Sequence, residues 1–440
     1  MRSKSLCVAA GCILFAVFLI PIFSSGASPS VTTAKEQILH SFAGGTDGAY
    51  PQSDLTLDSE GNLYGTTYEG GETSCVYRGE TWSGCGTVFE LKPTADGWAE
   101  EILYRFNVND NSGGALPAGG VTFDKAGNLY GTTEGLPNNC NEGNVFKLTH
   151  DSLHGWGETV LYTFNCGSSG YNPHADLVFD SKGDLFGIAS DAIFELIPQA
   201  NGSWKEVTVH QFTGGPDGAT PASGLVLDSS DNIYGTTMSG GTGRCYYYQQ
   251  GCGIVYKLTP GPDGNWTETV LYNFVRGGGF GVNPSGGLIL EGPGHFFVTT
   301  VAGGDGLGTV AELTQGQKGW EQRVLHRFYG DPDGNIPIGK TEINSGAGFG
   351  VTSRGGTSGM GTVFGLQRSA TNSWREIVLH SFAGGSDGSY PAAGLVFDSH
   401  GNLYGTTPGG GTGTKCGGSG CRPAPLCGGD GCGTVYEITP

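Results

Sequence analysis

A short hairpin motif recurs along the chain and constrains its fold more than any other feature. The clearest copy, residues 397–407, reads Phe-Asp-Ser-His-Gly-Asn-Leu-Tyr-Gly-Thr-Thr. Apolar residues flank an Asp-x-x-Gly-Asn turn, in which Gly401 can adopt a positive φ and Asp398 can accept hydrogen bonds from turn amides. Further copies span residues 58–67, 124–133, 180–189 and 228–237, and weaker ones span 291–300 and 344–352. The sequence therefore predicts seven β-hairpins.

Each hairpin lies within a larger repeated unit. An alternating strand-like run precedes it, followed by a Gly-rich turn and a Pro. These runs end at Phe42, Phe106, Phe164, Phe212, Phe274, Phe328 and Phe382. After the hairpin comes a Gly-rich loop of variable length and then another short strand, such as residues 86–91, 253–258 and 433–438. Four antiparallel strands in each of seven units predict an all-β fold, a seven-bladed β-propeller.

The two ends of the chain complement each other. The first run, residues 36–42, has no preceding hairpin, whereas the last unit stops at Pro440 after its third strand. We expect the N-terminal strand to complete the last blade and close the ring, which leaves no open sheet edge. Residues 28–440 are then predicted to form a single propeller domain.

The N-terminal segment is typical of an export signal. Arg2 and Lys4 precede an apolar run over residues 6–23, and Ser25 and Ala27 are small residues at positions suited to cleavage. We predict a signal peptide over residues 1–27 and a mature protein that is secreted or located in the cell envelope, with no membrane association once the signal is removed. The alternative is an uncleaved membrane anchor.

Composition limits the choice of partners. The chain contains 82 Gly, only 14% charged residues and a net charge of −19. Because nucleic acids are bound through clustered Lys and Arg, we expect no nucleic-acid partner. Gly and Pro fall at fixed repeat positions, which favours ordered turns over disorder, and we expect a monomer.

Ten cysteines follow the predicted signal, an even number that predicts disulfides in an exported chain. Short Gly-rich loops predict the pairs Cys75–Cys85 and Cys245–Cys252. Two more pairs are expected within a C-terminal group, and the remaining pair joins Cys140 to Cys166. The C-terminal group is Cys416, Cys421, Cys427 and Cys432, whose pairing stays open. A zinc site in this group is the weaker alternative, since its Cys-x4-Cys spacing is longer than the usual Cys-x2-Cys.

The repeat itself resembles a known family. The copies at residues 61–91 and 401–438 carry Gly-Asn-Leu-Tyr-Gly-Thr-Thr, then Gly-Gly, then Gly-Thr-Val-Phe or Gly-Thr-Val-Tyr. This pattern resembles the GloVer tandem repeat of Gloeobacter and Verrucomicrobia, and it covers essentially all of the mature chain, with a degenerate sixth copy at residues 347–352. The resemblance implies an exported bacterial protein and no established activity. Members often carry a C-terminal surface anchor, which we do not expect here.

The best binding candidates are aromatic residues in the variable loops. Such rings suit stacking on sugars or burial in a protein partner. The candidates are Tyr68, Tyr77 and Trp82 in the first long loop, and Tyr246, Tyr247 and Tyr248 between two cysteines. The alternative is that these loops simply fold onto their own blades.

Two other recurring residue types receive a structural interpretation. Asp occurs in Gly-x-Asp-Gly turns, where it could bind Ca²⁺, but three units lack it and Asp-Gly is a common turn dipeptide. A His precedes the Phe by two residues in four units, but Tyr104, Tyr162 and Tyr272 replace it elsewhere, which favours packing. The residues concerned are Asp47, Asp217, Asp333, Asp387, His40, His210, His326 and His380. We predict no metal and no cofactor.

Sequence motifs for catalysis are missing from the chain. It contains no Ser-His-Asp order, His-Glu-x-x-His, phosphate loop or dinucleotide fingerprint. We therefore favour a non-catalytic binding or scaffold propeller for an extracellular carbohydrate or protein, with the ligand at the rim that carries the Gly-rich loops. The alternative is a carbohydrate-active or other hydrolytic enzyme with a site on the propeller axis.

Overall fold

The computed structural model describes residues 34–71, 75–77, 80–82, 84–107, 114–134, 141–165, 170–245, 251–304, 306–344, 346–414 and 431–440. These residues form seven antiparallel sheets arranged as the blades of a propeller, which confirms the predicted fold class. The predicted signal peptide lies outside the described residues. Within them, no helix is long and apolar enough to cross a membrane.

The first three blades each contain four strands, which follow one another from the axis outward. Blade 1 comprises β2 (Thr56–Leu57), β3 (Leu63–Thr67), β6 (Thr87–Thr94) and β7 (Gly97–Arg105), and its loop carries the short hairpin β4 (Cys75–Tyr77) and β5 (Glu80–Trp82). Blade 2 comprises β8 (Thr122–Phe123), β9 (Leu129–Glu134), β10 (Asn141–Asp151) and β11 (Gly155–Asn165). Blade 3 comprises β12 (Val178–Phe179), β13 (Leu185–Ala189), β14 (Ala192–Pro198) and β15 (Trp204–Gln211).

The next three blades follow the same order, and in blade 5 the innermost strand is split into two segments. Blade 4 comprises β16 (Ala219–Leu227), β17 (Ile233–Ser239), β18 (Ile254–Pro260) and β19 (Trp266–Asn273). Blade 5 comprises β20 (Gly281–Pro284), β21 (Ile289–Gly292), β22 (His295–Gly303), β23 (Thr309–Gly316) and β24 (Gly319–Arg327). Blade 6 comprises β25 (Asn335–Asn344), β26 (Ala347–Arg354), β27 (Thr362–Arg368) and β28 (Trp374–Ser381).

Blade 7 is completed by the N-terminal strand, as the sequence predicts. It comprises β29 (Val396–Phe397), β30 (Leu403–Thr407), β31 (Thr434–Thr439) and β1 (Lys35–Ser41), and a 3₁₀ turn over Gly385–Asp387 precedes it. Strands β1 and β31 are antiparallel, with Lys35 opposite Thr439 and Ser41 opposite Thr434. Backbone hydrogen bonds between the two chain ends therefore close the ring.

The inner hairpins have the turn chemistry that their sequence predicts. Gly401 has a φ of 89°. The Asp398 Oδ1 accepts hydrogen bonds from the amides of His400 at 2.8 Å and Asn402 at 2.9 Å. The Tyr404 hydroxyl donates to Asp398 Oδ2 at 3.1 Å, which ties the turn to the second strand. One Asp thus fixes both the turn and the strand that follows it.

The hydrophobic core lies between successive blades. In six of the seven blade contacts, the Phe that ends the outer strand packs against an aromatic ring of the third strand in the next blade, as Phe42 does with Phe89 at a centroid distance of 5.2 Å. In the seventh contact Phe274 packs in a cluster with Ala311. The third-strand aromatic ring lies against the Gly of the Leu-Tyr-Gly-Thr-Thr strand. A Cβ added to Gly405, for example, would lie 2.6 Å from Cζ of Tyr436. The repeated Gly is therefore required by close packing.

Candidate functional site

One ring of residues lines the propeller axis. It is formed by the third residue after the repeated Pro in each unit. This residue is Gly in four blades and charged in three. The glycines are Gly120, Gly224, Gly287 and Gly394, and the charged residues are Asp54, Asp176 and Lys340. The charged residues face a common cavity of about 220 Å³ at the centre of the ring. Sequence reasoning missed this site, although the signal was present as three departures from Gly at one repeat position.

The backbone of the inner strands directs these residues toward the axis. In blade 4 the pairing of β16 with β17 shifts register between Ala222 and Val226, and in blade 6 the pairing of β25 with β26 shifts between Ile338 and Glu342. Such irregularities bend a strand and re-aim its side chains. Because the inner strands begin at the rim of the Gly-rich loops, the cavity lies in that half of the axis.

The Lys340 side chain extends over the glycines of two other blades. A Cβ added to Gly224 would lie 3.1 Å from Lys340 Cε, and one added to Gly287 would lie 2.7 Å from Lys340 Cγ. Among the described residues, no hydrogen bond or close ion pair of the Lys340 ammonium is found. The glycines therefore provide the space that lets a long cationic side chain enter the cavity.

The two aspartates are each held by the neighbouring blade. The Gly394 amide donates a hydrogen bond to Asp54 Oδ1 at 2.6 Å, and the Gly120 amide donates one to Asp176 Oδ1 at 2.6 Å. Each carboxylate thus has a fixed position and retains a second oxygen for other interactions.

The electrostatics of the cavity are set by burial and by this mixture of charges. Burial and the Asp54 carboxylate raise the pKa of Asp176 to about 6, against the opposing effects of Lys340 and the Gly120 amide. Burial would lower the pKa of Lys340, but the carboxylates of Asp54, Asp176 and Glu342 outweigh burial and raise it. Burial likewise raises the pKa of Glu342, with Lys340 opposing and Asp54 reinforcing the rise. At neutral pH the cavity therefore presents a cation beside carboxylates.

The structure describes only some of the aromatic residues predicted to bind a ligand. Tyr68 is half-buried, packs against the core between blades 7 and 1 and the core between blades 1 and 2, and donates a hydrogen bond from its hydroxyl to Glu134 Oε2 at 2.8 Å. The backbones of Tyr77 and Trp82 lie on the short hairpin of strands β4 and β5, where Trp82 is opposite Cys75. The Tyr246, Tyr247 and Tyr248 triplet lies outside the described residues. A ligand-binding role for these residues stays a prediction.

Two predicted disulfides are confirmed. Cys75 is bonded to Cys85, and Cys245 is bonded to Cys252. Cys432 is also disulfide-bonded, to a partner outside the described residues. The remaining predicted cysteines, Cys140, Cys166, Cys416, Cys421 and Cys427, lie outside the described residues as well. Disulfides of this kind are consistent with an oxidising, extracytoplasmic environment.

The recurring Asp and His residues lie next to each other in pairs. The distances from His Nε2 to the nearest Asp oxygen are 3.5 Å for His40–Asp47, 3.9 Å for His210–Asp217, 3.0 Å for His326–Asp333 and 3.0 Å for His380–Asp387. Each His ring also packs edge-on against the Phe two residues later, as expected. The structure adds to the packing interpretation a polar contact that the sequence did not reveal.

The fold and the axial cavity define a class, a seven-bladed β-propeller with a charged site on its axis. Within that class, the chain belongs to the Gloeobacter/Verrucomicrobia repeat family, whose sequence profile matches residues 25–193 and 245–440. This confirms the resemblance seen in the repeats. None of the curated proteins compared with the chain matches it in sequence.

Solved structures with a similar fold include two enzymes. Virginiamycin B lyase from Staphylococcus aureus is 13% identical, with a TM-score of 0.52 over 92% of this chain and 99% of that chain. Streptogramin B lyase is 13% identical, with a TM-score of 0.53 over 92% of this chain and 97% of that chain. At this identity the likeness concerns the fold alone.

Proposed function

We propose that this protein is an exported binding propeller that holds a small hydroxyl-rich ligand, a carbohydrate unit, in its axial cavity. The observation that carries the proposal is the set of charged residues at a ring position that is otherwise Gly. Asp54 and Asp176 would accept hydrogen bonds from sugar hydroxyls, and Lys340 would donate to hydroxyl or ring oxygens. A site with both acceptors and a strong donor suits a polyol better than an apolar ligand.

The size of the cavity supports a small ligand. Its volume of about 220 Å³ is below the ~300–1,000 Å³ range of drug-sized sites. The cavity therefore suits one sugar ring or the end of a chain. Because it lies in the half of the axis nearest the Gly-rich loops, the rest of a longer glycan would extend toward the rim that carries these loops.

The test is binding to oligosaccharides from cellulose, xylan, chitin and peptidoglycan, measured by calorimetry on the exported, disulfide-bonded protein. We expect Lys340→Met to weaken the best binder at least tenfold, about 1.4 kcal/mol. The matched control is Lys182→Met, because Lys182 is largely exposed on a hairpin turn at the opposite rim. Equal affinity in the parent and Lys340→Met would refute an axial carbohydrate site.

A second candidate function is hydrolysis at the same cavity. It is favoured by one observation, the raised pKa of Asp176 beside Asp54, because an acid that keeps its proton near pH 6 next to a second carboxyl group suits general acid–base catalysis. Product release from the same oligosaccharides would test it. An Asp176→Asn variant that still binds but no longer releases product would support the enzyme, and the absence of product from the parent would exclude it for these substrates.

A further inference from the structure

The seven contacts between neighbouring outer strands follow two patterns. The residue two positions before the terminal Phe is His in four units and Tyr in three. In every unit with the His, the residue four positions before the next Pro is Asp, and in no unit with the Tyr is it Asp. The His–Asp pairs are 40/47, 210/217, 326/333 and 380/387; the Tyr units have Tyr104 with Gly113, Tyr162 with Ser169 and Tyr272 with Phe280. His and Asp are therefore present together in a repeat unit or absent together.

The third member of each contact comes from the next blade. It is the residue two positions after the Trp of the outer strand, usually a Glu. In the Tyr pattern the phenol reaches it directly, as Tyr104 Oη does with Glu158 Oε2 at 2.9 Å. The imidazole of His is shorter than a phenol, and the Asp of the turn fills the remaining space. Each His contact is consequently a cluster of one imidazole and two carboxyl groups from three chain segments.

In two of these clusters, which Glu376 and Glu36 complete, the imidazole lies within hydrogen-bonding distance of the Asp carboxylate. His326 Nε2 lies 3.0 Å from Asp333 Oδ1, and His380 Nε2 lies 3.0 Å from Asp387 Oδ1. These distances are ordinary for a hydrogen bond. They show how the cluster is arranged when the imidazole binds the carboxylate directly.

The clusters of His40 and His210 lack this direct hydrogen bond, and His210 Nε2 lies 3.9 Å from Asp217 Oδ2. The cluster of His40, at the ring closure, also brings its three ligand atoms close together. His40 Nε2 lies 3.5 Å from Asp47 Oδ2 and 3.8 Å from Glu100 Oε1, and the three ligand atoms all lie within 4.8 Å of one another. His40 Nε2 and Glu100 Oε1 are shielded from solvent, and neither makes a hydrogen bond within the described part of the chain unless a proton is shared with the Asp47 carboxylate beside them. Buried polar atoms without partners are rare, and an ion is one common explanation.

The spacing of these atoms fits a metal ion better than direct hydrogen bonds. Zinc bonds of about 2.0–2.2 Å to nitrogen and oxygen place tetrahedral ligands roughly 3.4 Å apart. The observed separations of 3.5 and 3.8 Å are close to that value. The Ala43 amide donates a hydrogen bond to the same Asp47 carboxylate and holds it in position, as outer contacts do at metal sites.

We propose that His40, Asp47 and Glu100 bind one divalent metal ion of the zinc class, which ties the N-terminal closing strand to blade 1. One imidazole and two carboxylates are suitable zinc ligands, and they leave a fourth position for water. His40 lies on β1, Asp47 on the turn that follows and Glu100 on β7, so the ion would join three segments. This site is independent of the axial cavity.

The experiment uses the full exported protein, stripped with EDTA and then dialysed against ZnCl₂. Bound zinc is measured by mass spectrometry and its effect by thermal unfolding. The double variant His40→Tyr with Asp47→Ser copies the Tyr162–Ser169 pattern of this chain. The matched control makes the same changes in a hydrogen-bonded cluster, His380→Tyr with Asp387→Ser.

We expect one zinc per chain and a zinc-dependent rise in Tm in the parent and in the control, and neither in the His40 variant. Should that variant fail to fold, Glu100→Gln removes one ligand with little change in shape, and at least tenfold weaker zinc binding is expected. A parent that binds no zinc, or two double variants that lose zinc equally, would overturn the proposal. So would a parent stabilised by mild acid but not by zinc, because the cluster would then hold a proton instead.

Discussion

The pH dependence of stability offers a direct test of the axial cavity. The perturbation is Asp176→Asn, which removes the ionisable group but keeps an oxygen that can accept the Gly120 amide. The pKa of Asp176 is raised from 3.8 to about 6 by burial and by Asp54. A buried carboxyl group with a raised pKa binds more protons in the folded protein than in the unfolded chain.

The sign and magnitude follow from that difference. Between pH 3.8 and about 6 the folded state holds the extra proton, so its stability falls as the pH rises through this window and then levels off. At 1.36 kcal/mol per pH unit, the free energy of unfolding of the parent should fall by about 3 kcal/mol relative to the Asn variant. The stability of the parent relative to the variant should therefore be lower at neutral pH than at acid pH.

The assay is urea unfolding of both proteins from pH 4 to 8, followed by tryptophan fluorescence. Taking the difference between parent and Asp176→Asn cancels the titration of groups that the substitution leaves untouched. In an Asp54→Asn background the repulsion is removed, and the transition should move to lower pH. Parallel stability curves for the parent and Asp176→Asn would refute the account of a buried, coupled carboxyl pair.

Three further predictions concern the scaffold. Gly405→Ala should destabilise the protein by roughly 1–3 kcal/mol in chemical unfolding, because its Cβ would collide with Tyr436, whereas Gly157→Ala should be neutral because no atom lies within 4 Å. Deletion of residues 28–42 should expose the edge of the last blade and cause aggregation in light scattering; a deletion protein that melts like the parent would contradict ring closure. Replacing both Cys245 and Cys252 by Ser should cost about 2 kcal/mol and lower the Tm, and an unchanged Tm would show that the loop needs no tether.

Much of the architecture could be predicted from local sequence. The Asp-x-x-Gly-Asn turn determines its own hairpin, since Asp398 binds amides two and four residues away. Because the hairpin recurs clearly in five units and weakly in two more, the number of blades and the spare strand at residues 36–42 could be predicted from spacing. The confirmed disulfides have separations of 10 and 7 residues, so they too were local predictions.

The candidate sites were decided by the tertiary structure. Asp54, Asp176 and Lys340 come from blades 1, 3 and 6, and no local interaction links them; only closure of the ring brings one position of each unit to a common axis. In the second site His40 and Asp47 are seven residues apart, but the 3.8 Å distance from His40 Nε2 to Glu100 Oε1 depends on how blade 7 packs against blade 1. The sequence shows which residues depart from the repeat, but the distances between them depend on packing between blades, which no single repeat encodes.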